Sequence, residues 1–555
     1  MKSIKVAALL IGLMLTAGGC NDFLKEENKS NMVSDEYYAT SEGYEKLINA
    51  AYSSMRSVYS QPWVFCAGTD MYVEGRSQQP VGLSEYQNLI PDDGEVLNFY
   101  TNVYQSIQVC NTALYFNDKT ASTSTLANRK GEIQFLRAYD YFLLVQTFGG
   151  VALVTDRFTQ PVESFSRASA QEVYAFIIKE MTEALELVPE TTPNFGRVTK
   201  RAVRHMLAKI HLTRGYESFG TADDFKTAAT YADAAIQGQG LTLSFEDVFF
   251  PGNEKNAEIL FSIQWDAASL PTANSGGNTQ SAYFGPYFGG QGGVEGYPYR
   301  TYTLCPTMYT FDLFTETDAR FDATFMIQFY QRYYDYYTRR TERNQLNVKY
   351  YYPPKWANSP AAIAAWKAAD PTRRNNAVVY PYSGTLWEAS RTVVLDNYTP
   401  SVKKFDDPSA QFGSNTSTRD LFVARLGETY LLAAEAYFKM GNLALAADRI
   451  NVVRKRAAKS GAETSMQIQS SDVTLDFILD ERGRELVGEY HRWFDLKRTG
   501  TLMTRARMYN KDVRKWFDNG INPFMGAGNQ PKLLRPIPTR ALDLNQGAFA
   551  QNPGY

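Results

Sequence analysis

RLGETYLLAAEAYFKMGNLALAADRINVVRKRAAK, residues 425–459, decides the fold. Leu426, Tyr430, Ala433, Ala434 and Tyr437 recur at steps of three and four, the spacing that puts side chains on one helical face. Gly441-Asn442 ends that helix, as either residue does just past a helix C-terminus. A second helix follows at once, with Ala446, Ala447, Ile450, Val453 and Ala457 as its own stripe. Small side chains on both stripes let the two backbones approach closely. The product is a tight helical hairpin, a unit built for stacking.

The same pattern recurs upstream. HMLAKIHLTRG and FKTAATYADAAI predict a second hairpin over 201–216 and 224–236, and residues 138–189 hold a stretched third. A unit of roughly 34 residues resembles a degenerate tetratricopeptide repeat. Further helices are expected over 41–58, with Ser41 as N-cap, and over 96–116 and 476–489. Residues 242–418 break the series: they are rich in Gly, Tyr, Pro and Asn, with short extended runs at 258–264 and 377–382 and one helix near 361–369. The expected fold is mainly α. Tetratricopeptide-like hairpins form a frame (41–241 and 419–555), and 242–418 is an inserted, loop-rich subdomain with a few short strands.

A net charge of -2, from 57 basic and 59 acidic residues, excludes a basic footprint for nucleic acid. Three histidines leave little for metal or acid–base chemistry; His205 and His211 lie six apart, which does not pair them on one helical face. Cys66, Cys110 and Cys305 are odd in number and lack CxxC spacing, so they read as buried small hydrophobes, with no disulfide framework and no zinc site. No metal, cofactor or catalytic group is assigned.

The N-terminus reads as an export signal. Lys2 and Lys5 precede an apolar run of ten residues, 6–15, and small residues lead to Cys20. The run is too short for a bilayer, which needs about twenty residues. Residues 1–19 thus resemble a lipoprotein signal peptide and Cys20 its lipidation site, although Ala17 stands where leucine is usual. Residues 20–40 read as a polar tether.

Six pieces, in order, resemble the SusD/RagB family of outer-membrane nutrient-binding lipoproteins. Cys20 is followed by Asn-Asp-Phe-Leu, and residues 132–149 resemble the family's E-x-x-FLRA-x-x-YF helix with its aromatic–glycine end. RLGETYLLAAEAYFKMGN resembles RL-x-E-x-YL-x-x-AEA, and residues 450–457 carry the iN-x-vR-x-RA element. ILDERGRELVGEYHRWFDLKRTG (478–500) resembles ER-x-x-EL-x-x-E-x-x-R-x-x-DL-x-R, and a late PIP and the closing QNPGY are family-like too. The resemblance implies a non-catalytic lipoprotein on the surface of the outer membrane. It would capture oligosaccharide and deliver it to a SusC-like TonB-dependent barrel transporter. The alternatives are the same fold binding oligopeptides, as RagB-like members do, or a surface glycoside hydrolase.

Holding sugar without catalysis needs aromatic faces against the C–H faces of the rings and polar groups on the hydroxyls. The irregular loop 59–95 offers both in Trp63, Asp70, Tyr72, Arg76 and Asn88. Against this, Asp70 and Arg76 could pair locally and Trp63 could pack in the core. Tyr283, Tyr287, Tyr297 and Tyr299 stand among glycines that could project their rings, or else they pack the subdomain. Trp356, Trp366 and Trp387 are weaker candidates, better read as core. Glu481, Glu485 and Glu489 fall at i, i+4 and i+8, and paired carboxylates are what glycoside hydrolysis uses. With Arg482, Arg484 and Arg492 beside them, they read as a structural ion network.

Overall fold

The computed structural model describes residues 34–75, 79–270, 277–285, 296–297, 303–388, 398–410 and 417–555. The deciding stretch forms the helices Leu426–Lys439 and Leu443–Ala457. Gly441 breaks the chain at φ +75°, and Asn442 Oδ1 accepts from Leu445 N at 3.2 Å. One dipeptide thus stops the first helix and caps the second. The buried residues of the second helix are Ala446, Ala447, Ile450, Val453 and Ala457, the stripe given by the spacing.

The upstream hairpin forms as Lys200–Arg214 and Ala222–Ile236, preceded by Leu126–Phe148 and Ala170–Leu187. Ala208, Ala232 and Ala433, from three different helices, meet in one fully buried contact. The two hairpins therefore stack directly on each other, although residues 242–418 separate them in sequence. A small side chain at each position permits that approach; a larger one would force the helices apart. Strand Ile259–Ile263 pairs antiparallel with Leu421–Arg425 across the mouth of the intervening stretch, and Tyr72–Glu74 pairs with Leu304–Pro306. A three-stranded sheet joins Gln328–Tyr330, Val348–Tyr351 and Val378–Val379.

Several local expectations are corrected. Thr40, not Ser41, caps the helix Ser41–Val58, accepting from Gly43 N at 3.1 Å. Loop 59–95 is punctuated by one-turn helices, Trp63–Cys66 and Val81–Glu85. The helix expected over 476–489 stops at Glu485, because Gly488 and Tyr490 adopt left-handed backbone at φ +74° and +64°. Helices Leu502–Tyr509 and Lys511–Asp518 follow, which the sequence reading did not give. Cys66, Cys110 and Cys305 are buried thiols. Trp387 is fully buried, and Trp366 stacks on Tyr351 at 3.9 Å, so both serve packing. Among the described residues no helix is long and apolar enough to cross a membrane.

The three aligned glutamates are indeed structural, but most of their partners come from elsewhere in the chain. Glu481 pairs with Arg320 (2.8 Å), Arg454 (2.8 Å) and Arg484 (2.7 Å). Glu485 pairs with Arg320, Arg425 and Arg456, and Glu489 with Arg425 and Lys404. Of the helix's own arginines only Arg484 answers one of them; Arg482 is spent on Glu428 and Asp495.

One buried acid lacks such support. Asp140, within Leu126–Phe148, is 0 % exposed, and neither carboxylate oxygen has a hydrogen-bond partner. The neighbouring Ser106 hydroxyl is engaged with Ser54 at 2.7 Å. Burial pushes the Asp140 carboxyl well above its ordinary range, so the folded chain holds the proton where the unfolded chain releases it. Its cost to stability is therefore absent in strong acid and grows as pH rises above about 4. Asp140→Asn is expected to stabilise the protein by roughly 1–3 kcal/mol at neutral pH. Denaturant midpoints at two pH values check this; an equal gain at pH 3 would refute it.

Candidate ligand-binding site

Loop 59–95 and the segment 277–285 converge over the start of the helix Gly94–Asn117. Asp93 caps that helix, accepting from Glu95 N and Val96 N at 3.0 Å each. Pro62 precedes the short helix that carries Trp63, and the indole meets Tyr283 edge-on at 4.9 Å. Tyr283 donates its hydroxyl to Gln61 Oε1 at 2.8 Å, and Thr279 Oγ1 donates to the Ser60 carbonyl at 3.0 Å. These bonds fix the segment 277–285 against the loop, so the two rings form a preset corner.

In front of Trp63 lies a shallow cleft of about 470 Å³, walled by Gln79, Pro80, Asp93, Glu95 and Asn98. Its floor at Gly94 is open, since a methyl group there would touch nothing within 4 Å. Gln79 is 1 % exposed, yet its amide is half satisfied. Nε2 donates to the carbonyls of Val73 and Thr303, at 2.9 Å each, while Oε1 has no donor among the described residues. The oxygen is itself closed to solvent, and a buried acceptor left open costs about 1–3 kcal/mol. Glu95 is half-buried, and burial followed by the nearby Asp93 charge raises its carboxyl above the ordinary range. Asn98 is exposed and Asn102 donates to the Ser57 carbonyl at 3.0 Å.

Of the residues expected from sequence, Trp63 lines the cleft, and Tyr283 packs against it without lining the cleft. Asp70 and Tyr72 do neither. Asp70 is 0 % exposed, gripped by Arg492 (2.8 and 2.6 Å) and Arg505 (2.9 Å). Burial alone would raise its carboxyl, but the two guanidinium groups hold it below the usual range. It is a core ion pair, not a ligand contact. Tyr72 is buried in its strand and accepts at its hydroxyl from Gly488 N at 2.6 Å, which ties the loop to the turn after Glu485. Asn88 is exposed but is not among the cleft walls. Tyr297 donates to the Gln331 carbonyl at 2.9 Å and packs on Phe329, in a separate aromatic cluster. Arg76, Tyr287, Tyr299 and Cys20 lie outside the described residues. Gln79, Glu95 and Asn98 were passed over in the sequence. Their signal was weak: polar residues of the same loop and of the first turn of the next helix.

The cleft brings one aromatic ring together with polar groups, among them the carboxylates of Asp93 and Glu95. Glu481, Glu485 and Glu489 are buried and charge-paired, and none of them lines it.

A family model described as "SusD family" matches residues 257–555, and one described as "Starch-binding associating with outer membrane" matches 22–212. SusD-like protein P2 of Formosa agariphila is 24% identical over 588 residues, covering 100% of both chains. Starch-binding protein SusD of Bacteroides thetaiotaomicron is 26% identical over 473 residues, 80% of this chain and 76% of its own. Among solved structures, a laminarin-binding SusD-like protein superposes with TM-score 0.66 at 22% identity, over 93% of this chain and 100% of its own. Surface glycan-binding protein A of Bacteroides thetaiotaomicron, in complex with laminarihexaose, does so with TM-score 0.64 at 20% identity, over 93% of this chain and 100% of its own.

Proposed function

This chain belongs to the SusD/RagB family, and from that premise we propose that it is a surface glycan-binding protein of the outer membrane. It captures oligosaccharide without cleaving it, is anchored through a lipid on Cys20, and passes its cargo to a SusC-like TonB-dependent transporter. The observation that best supports sugar as cargo is the Trp63 ring beside the polar side chains of Glu95 and Asn98 in one cleft. An aromatic ring packs the C–H face of a pyranose, and polar side chains beside it hold the hydroxyls. An extended peptide would instead be met by the free edge of a strand, and no strand lines the cleft among the described residues.

The wall carries two carboxylates, Asp93 and Glu95, and no cation among its described residues, which favours a neutral glycan at this cleft. Affinity electrophoresis against starch, laminarin and other neutral polysaccharides is the test, with a reducing-end assay on the same mixtures. Retardation by at least one glycan without new reducing ends is expected. Turnover would replace the reading by a hydrolase, and retention of peptides alone would replace sugar by peptide.

A further inference from the structure

A second concavity lies along the helix Ser41–Val58 and the strand Ile259–Ile263. It comprises two adjoining cavities of about 240 and 360 Å³ that share Phe195, Gly196 and Arg197 as a common wall. Taken as one groove this is within the roughly 300–1,000 Å³ of small-molecule clefts. It shares no lining residue with the cleft at Trp63. Phe195 is half-buried and gives the groove a ring face. Gly196 sits at φ +91°, and any side chain there would collide with the Gln264 amide, whose nearest atom is 2.4 Å away. The bare backbone at Gly196 is thus what lets that amide lie in the groove.

The charge of the groove is one-sided. Its walls carry Arg56, Arg197, Arg201 and Lys255 against a single carboxylate, Glu190. Glu190 is already paired with Arg204 at 2.7 Å, and Arg197 is answered by Glu132 at 2.9 Å. The other three cations have no carboxylate in contact among the described residues. Arg56 donates Nε to the Gln264 carbonyl (2.8 Å) and lies over the Trp265 ring (4.9 Å); its Nη2 has no protein acceptor there. Asp266 and Asp420 act on it only through space. Arg201 is spent on the carbonyls of Ala235 (2.8 Å) and Gln237 (3.4 Å), with Glu190 acting on its charge only through space. Unpaired guanidinium groups beside a ring face and side-chain amides are a recognition set for a planar anion on a sugar.

We propose that this groove is a second binding site, for an anionic oligosaccharide bearing carboxylate or sulfate groups. The Phe195 ring packs a sugar face, the amides of Asn194 and Gln264 meet hydroxyls, and Arg56 in one cavity and Lys255 in the other each meet an anionic group. The site stands apart from the neutral-glycan cleft in both residues and sign of charge, so one molecule can hold two classes of glycan.

Calorimetric titration with tetragalacturonate, a sulfated carrageenan tetrasaccharide and neutral maltotetraose tests this on the full mature chain. At least one anionic probe is expected to bind, more weakly as salt is raised, because exposed charge pairs are screened. Arg56→Gln and Lys255→Glu are each expected to weaken that binding roughly tenfold or more. Trp63→Ala should leave it unchanged. Lys255 is exposed and Arg56 half-buried, so thermal melting of both variants is needed to confirm their folding. Failure of both anionic probes to bind the wild type would overturn the proposal, as would their loss in Trp63→Ala. Maltotetraose binding that depends on Arg56 and Lys255 to the same degree would overturn the assignment of charge.

Discussion

Arg425→Met is expected to lower the stability of the protein by about 3–5 kcal/mol, the cost of leaving buried carboxylates without their cation. Arg425 is 1 % exposed and holds three acids at once: Glu489 at 2.6 Å, Glu485 at 2.6 Å and Glu258 at 2.9 Å. It also donates to the Glu485 carbonyl at 2.8 Å, closing the end of the helix Leu475–Glu485. Gly427 leaves room for this fork, since a methyl group there would stand 2.4 Å from Arg425 Nη1. The residue joins the strand Leu421–Arg425, the first repeat helix and the turn after Glu485, so its loss reaches three elements together. Arg425→Lys keeps one charge but not the planar fork and should recover only part of the loss. Guanidinium unfolding measures both variants. An unchanged midpoint for Arg425→Met would mean that the network carries no stability.

Acid should attack the same network. Burial alone would raise the Glu481 carboxyl, but Arg320, Arg484 and Arg454 hold it down at about 2; Asp495 is held at about 2 by Arg482 and Arg498. Groups depressed in the folded state stabilise it above their unfolded values near 4, and that contribution is lost as pH falls toward 2. The neutral, buried His491, lowered to about 3 by burial, adds a loss that begins near pH 6.5. Unfolding midpoints should therefore drop most steeply below pH 4, while between pH 6.5 and 4 the loss at His491 is opposed by the relief of the raised carboxyls Asp140 and Asp420. A flat profile would contradict the pairing.

Trp63→Ala is the second large effect, on binding rather than folding. Removing a central aromatic anchor from a binding corner commonly costs 2 kcal/mol or more, about thirtyfold in Kd. Trp63 is 7 % exposed, so some of its loss will fall on packing. Asn98→Ala, at an exposed wall position, separates the two effects. It should weaken glycan binding severalfold with an unchanged melting temperature. Equal affinity in wild type, Trp63→Ala and Asn98→Ala would remove the cleft from the function.

The frame was legible because its determinants are local. Steps of three and four, alanine stripes and Gly441-Asn442 all act within one turn or one hairpin. The stacking of Ala208, Ala232 and Ala433 followed from the same alanines, even across the long intervening stretch. The site was less legible because its residues are sorted by distant partners. Asp70 looked available in its loop, but Arg492 and Arg505 claim it from 422 and 435 residues away. Tyr72 is claimed by Gly488 from 416 residues away. Gln79 was invisible for the converse reason: Thr303, 224 residues on, takes its amide hydrogen and leaves the oxygen open. The helices Leu502–Tyr509 and Lys511–Asp518 have eight residues each, too short to announce themselves by periodicity. Asn510 ends one and caps the other, accepting from Asp512 N at 2.9 Å, which sets them from the join rather than from either stripe.

A crystal structure of the protein with the neutral oligosaccharide that it retains best would test the cleft most directly. The expected result is a sugar ring packed on Trp63, with hydroxyls held by Glu95 and Asn98. A sugar bound elsewhere, with the cleft at Trp63 empty, would contradict it.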